Sequence, residues 1–98
     1  MPDWNEHLVP AHTLAGLIAY RDHGVPTGDF LHAVLCDKLV ESFARADREN
    51  GESMGHICAW LYNCLPRAAW GNEQAVVDWM ERHAQLRKKG ASDGRADD

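Results

Sequence analysis

Apolar residues recur along this chain at intervals of three and four in several separate runs, the period of helices that bury one face. Leu14, Leu17 and Ile18 set the first run, with Pro10 just before it and Gly24 as a stop, which predicts a helix over Ala11–His23. Val25, Pro26, Thr27 and Gly28 then make a short connector. From Asp29 the period resumes through Phe30, Leu31, Val34 and Leu35, and continues through Leu39, Val40, Phe43 and Ala46. That stretch reads as one helix of about twenty residues or as two that break near Cys36 and Asp37, with Asp37 capping the second; the break is preferred.

Gly51 reads as the stop of this element, and Glu52 or Ser53 as the start of the next. Met54, Ile57, Cys58, Leu61 and Leu65 trace a helical face up to Pro66. A connector at 62–72 follows, punctuated by Pro66 and by Gly71-Asn72. Asn72 caps a final helix, Glu73 sits in its first turn, and Val76, Val77, Met80 and Ala84 form its stripe. Arg87, Lys88 and Lys89 complement the dipole at its far end, and from Gly90 the residues are small and polar. No segment alternates with the period of a strand. The expected fold is all-α: a compact bundle of four or five short helices at 10–89, an N-terminal extension at 1–9 and a disordered tail at 90–98.

Ninety-eight residues make one small domain with little surface to bury, so an oligomer would usefully hide more apolar area. Net charge is −5, and residues 1–86 alone hold 6 Lys/Arg against 12 Asp/Glu. An acidic body repels phosphate backbones, so no direct nucleic-acid binding is expected and a basic partner surface is favoured. Cys36, Cys58 and Cys64 make an odd, irregularly spaced set, which reads as free thiols in a reducing compartment. No apolar run approaches the ~20 residues of a membrane helix, and Met1 to His7 has no basic-then-apolar pattern; a cytoplasmic location is expected.

The chemistry-bearing residues form no recognisable catalytic set. There is no C-x-x-C or H-x-x-x-H for zinc, although His32 and Cys36 share a helix face and His56 precedes Cys58 by two. Ser42 and Ser53 lack a glycine elbow, and no phosphate-cradling glycine loop is present. Non-enzymatic action without metal or cofactor is therefore expected. The connector at 62–72 is the most functional-looking segment: Tyr62, Asn63 and Trp70 could line a pocket, with Arg45 and Arg48 holding an anion bidentately. Trp4, Trp60 and Trp79 read as core or interface aromatics.

Several short motifs stand in order along the chain: Gly24, Pro26, Gly28, Phe30 and Leu31 through Asp37 and Leu39; Arg45-Ala46-Asp47 with Glu49-Asn50; Leu61-Tyr62-Asn63; Pro66; and Trp70-Gly71. In these the chain resembles a family of small, mostly uncharacterised phage and prophage accessory proteins. The family pattern has Asn-Asp where this chain has Asp37-Lys38, and Ser where Asn72 stands. The resemblance implies binding and blocking rather than catalysis, in host takeover or anti-defence inside a bacterial cell.

Two readings follow. In the first, the protein sequesters a small anionic, nucleotide-like signalling ligand at Arg45, Arg48, Tyr62, Asn63 and Trp70. In the second, it is an acidic helical inhibitor that docks through Glu41, Asp47, Glu49 and Asp78 on a basic surface of a host protein, such as a CRISPR effector or a polymerase.

Overall fold

A computed structural model describes the backbone of residues 8–96 and the side chains of residues 8–88. Within them the all-α reading holds, and no strand is present. Helix α1 spans Ala11–His23, α2 Asp29–Leu35, α3 Leu39–Arg45, α4 Arg48–Glu52, α5 Met54–Cys64 and α6 Glu73–Ala96; a 3-10 turn covers Arg67–Ala69. The extension expected at 1–9 is described only at Leu8 and Val9, and Val9 is buried in the core. Of the disordered tail expected at 90–98, the backbone of 90–96 continues α6, and residues 97 and 98 lie outside the described residues. No described helix is long and apolar enough to cross a membrane.

Helix α5 runs through the centre. Met54, Ile57, Trp60, Leu61 and the neighbouring Leu65 are buried against Leu17 and Tyr20 of α1, Leu31, Val34 and Leu35 of α2, and Val76 of α6. The start and end of α1 lie where the pattern puts them: Gly24 is left-handed at φ 66° and its N–H donates to Tyr20 O. A side chain there would also collide with α6, since a Cβ built on Gly24 lies 2.5 Å from His83 Cβ.

The stretch at 29–50 breaks more often than its apolar period suggests. Asp37 is not the cap of α3. It is left-handed at φ 62°, and with Lys38 it closes the end of α2: Asp37 N–H donates to Val34 O and Lys38 N–H to Ala33 O. Lys38 occupies the N-cap of α3 without a side-chain cap. This turn resets the helical register, so α3 buries Ser42 and leaves Leu39, Val40 and Phe43 exposed, contrary to the core role their spacing predicts. The Ser42 hydroxyl is satisfied by donating to Lys38 O at 2.6 Å.

Gly51 likewise is no stop, because it lies inside α4. Asp47 starts that helix by accepting from Asn50 N–H at 2.8 Å, and buried Asn50 in turn accepts from Thr13 Oγ1 at 2.6 Å. Two further stripe positions face outward: Cys58 on α5 and Ala84 on α6 are exposed. Ser53 and Asn72 do stand at helix starts, and Asn72 Oδ1 accepts from Ala75 N–H.

Tyr20 fastens these parts together. Its fully buried ring sends the hydroxyl to Ala69 O at 2.6 Å, while its carbonyl accepts from Trp79 Nε1 at 3.0 Å. Burial, with a smaller effect from nearby Cys36, pushes the phenol well above its usual range. Tyr20→Phe is expected to cost about 1–3 kcal/mol at neutral pH, because Ala69 O is left without its donor. The raised folded pKa stabilises the protein below the ordinary tyrosine value near 10, and that contribution is lost as pH climbs beyond it. Urea titrations of both proteins from neutral to alkaline pH should therefore show the gap narrowing at the alkaline end.

Candidate functional site

The polypeptide leaves α5 at Cys64 and enters α6 at Glu73 through a connector built from local chemistry. Pro66, with no N–H to continue α5, opens the 3-10 turn instead. Gly71 at φ 119° then turns the chain, a conformation that side chains rarely tolerate. Its N–H donates to Leu35 O at 2.7 Å, tying the connector to the end of α2. Arg67 covers one face of the Trp70 ring, 4.4 Å from its centroid, and donates to Trp70 O at 2.6 Å.

This bracing holds Trp70 at the wall of a pocket of about 380 Å³, within the usual size range for small-molecule sites. Val34 of α2 and Ala59 and Leu61 of α5 give it an apolar lining, and Tyr62 stands with Trp70 as its second aromatic. Gly55 adds no side chain, and nothing lies within 4 Å of a Cβ built there. Asp37 and Cys58 complete the lining, so among the described residues the only formal charge lining the pocket is a carboxylate.

Of the five residues expected at a site, the structure brings Tyr62 and Trp70 together. Tyr62 is 72% exposed at the pocket, which leaves its ring available for stacking. Asn63 turns back on its own helix and donates to Ala59 O at 2.8 Å. Arg45 does not line the pocket; it pairs with Asp29 at 3.4 Å and with Glu41 at 3.7 Å. Arg48 is also elsewhere, 91% exposed and 3.3 Å from Glu52. The arginines thus serve exposed ion pairs, each worth little.

Val34, Asp37, Gly55 and Cys58 are lining residues that the sequence reading missed. A signal existed: Gly55, Cys58, Ala59 and Tyr62 follow i, i+3, i+4, i+7 spacing, a second face of α5 made of small residues ending in an aromatic. Small side chains on a helix flanked by bulky neighbours leave room for a groove.

The His32 and Cys36 pair also assembles, with Nε2 and Sγ 3.6 Å apart, and Glu73 Oε2 stands 3.7 Å from the same ring nitrogen. Burial pushes the Cys36 thiol up, the opposite of what a nucleophilic cysteine needs. Among the described residues no group of three or more His, Cys, Asp or Glu side chains is arranged to hold a metal ion.

The Cys58 thiol is also pushed up, first by desolvation within the pocket and then by the Asp37 carboxylate. Alkylation by iodoacetamide should therefore modify exposed Cys58 more slowly than a free thiol at neutral pH. Asp37→Asn is expected to speed the reaction, because removing the neighbouring anion lowers the thiol pKa. Equal rates in both proteins, followed by mass spectrometry, would contradict this electrostatic coupling.

Comparison with protein families, with characterised proteins and with solved structures finds no match to this chain.

Proposed function

We propose that this chain is a non-enzymatic binding protein that sequesters a small planar ligand in the pocket between α2, α5 and the Trp70 connector. The observation that carries the reading is the pocket itself: about 380 Å³, apolar in most of its lining, with Tyr62 and Trp70 at its walls. Apolar walls supply affinity through burial, and the two rings favour a flat group by stacking.

The pocket changes the expected ligand charge. An anion placed there would meet the Asp37 carboxylate without either arginine to offset it. A neutral or cationic ring suits the lining better, and a nucleotide would fit by its base with the phosphates left in solvent. Host takeover or anti-defence, in the cytoplasm of a bacterial cell, remains the proposed setting and rests on the motif resemblance alone.

The acidic-inhibitor reading ranks second because its carboxylates already have partners. Asp47 caps α4, Glu41 pairs with Arg45, Glu49 lies 4.0 Å from His12, and Asp78 accepts from Gln74. Substituting them would disturb the fold or its surface pairs as well as any docking.

Native mass spectrometry of protein purified from its own cells should show a retained small molecule. Tyr62→Ala and Trp70→Ala are expected to weaken its binding at least tenfold, since base–aromatic stacking is worth about 1–3 kcal/mol per contact. Arg45→Ala and Arg48→Ala are expected to leave it within about twofold, as exposed ion pairs that do not line the pocket do. Loss on the arginine substitutions with none on the aromatic ones would overturn the proposed site.

A further inference from the structure

Asp37 puts a carboxylate at the pocket and leaves it without a partner. Among the described residues its side chain makes no salt bridge and accepts no hydrogen bond. By contrast Arg45 pairs with Asp29 and Glu41, Arg48 with Glu52, and His32 stands by Glu73. The backbone of Asp37 is fixed all the same. At φ 62° it forms the turn that ends α2, and its N–H donates to Val34 O at 3.1 Å. That turn sets the carboxylate at a pocket whose other walls are apolar side chains and the rings of Tyr62 and Trp70.

Two positive side chains stand close by, and neither lines the pocket. Lys38 is next in the chain, but its charge acts on the Cys36 thiol; the charge that acts on Cys58 in the pocket is that of Asp37. Arg67 lies over one face of Trp70 and donates to Trp70 O. A molecule entering the pocket therefore meets one negative group and two aromatic rings, whose faces are themselves electron-rich. The apolar walls add a second condition. They accept a positive nitrogen that is alkylated or shares its charge with a ring at lower cost than a compact, strongly hydrated ammonium.

We infer that the pocket selects a flat organic cation, with its ring against Tyr62 and Trp70 and its positive nitrogen beside Asp37. This rests on the reading of the pocket as the ligand site and adds the charge and chemical class of the ligand. Walls and rings supply the affinity; Asp37 and the ring faces supply the choice among ligands of one shape. Asp37 and Tyr62 are both exposed, so water weakens the preference to several fold rather than orders of magnitude.

Three bicyclic probes of nearly one shape test it: N-methylquinolinium, quinoline and 2-naphthoate, titrated into the full chain by NMR at neutral pH and low salt. N-methylquinolinium is expected to bind about five- to tenfold tighter than quinoline, and 2-naphthoate weaker than both. At about 0.5 M salt the gap between the cation and quinoline should narrow, with quinoline itself little changed. Asp37→Asn, a substitution that also tolerates positive φ, should bring the ratio of the two below about twofold. Glu81→Gln removes an exposed charge outside the lining and should leave the ratio as it is. Equal binding of the cation and quinoline by the unaltered chain overturns the inference, as does a ratio that Asp37→Asn leaves intact. In either case, quinoline binding that is lost on Trp70→Ala keeps the pocket reading standing. Failure of all three probes to bind at about 10 mM overturns both.

Discussion

Everything near the pocket depends on where Tyr20 puts its hydroxyl. A phenol that is fully buried must find a partner, and the one it finds is Ala69 O in the 3-10 turn. That bond holds the residue immediately before Trp70. The carbonyl of the same tyrosine accepts from Trp79, so one residue of α1 fixes both the connector and the helix that follows it. Gly71 N–H then ties the connector to Leu35 at the end of α2. Three elements are held around Trp70, whose buried Nε1 has no hydrogen-bond partner among the described residues. An unsatisfied buried donor costs free energy, about 1–3 kcal/mol, and the surrounding bonds are what allow it to persist.

The second constraint is the turn at Asp37. An L-residue at φ 62° is strained, and aspartate is among the few that adopt this conformation readily. The turn ends α2 and restarts the helical period out of step, which is why an apolar run that looks like core becomes exposed on α3. The same residue lies at the pocket and sets its charge. A single backbone reversal therefore separates two surfaces, the concave one beside α5 and the apolar one on α3.

Much of the fold was legible in the sequence because the cues were local. Pro10 and Gly24 bound α1, Ser53 and Asn72 open α5 and α6, and the stripe of Met54, Ile57 and Leu61 is buried. Helix capping and periodicity act over a few residues, so a sequence displays them directly. The misjudged positions were those decided by distant contacts. Gly51 reads as a stop, yet Asn50 is drawn inward by Thr13, 37 residues away in sequence. Leu39 and Phe43 keep a helical period with no record of which side meets the core. The candidate site was legible by half for the same reason: Tyr62 and Trp70 stand out as aromatics at a helix break. The small residues that make the cavity leave only an absence of bulk, and one of the two ion pairs that occupy Arg45, with Asp29, joins residues 16 apart.

Charge shapes the proposed pocket as clearly as geometry does. Binding in the pocket draws on apolar area and stacking, which ionic strength hardly alters. A small chain can bury few residues on its own, so a surface that holds a ligand by exclusion of water covers apolar area that the fold alone leaves open. The Asp37 carboxylate that makes the pocket inhospitable to anions leaves its apolar walls and two rings to supply the affinity.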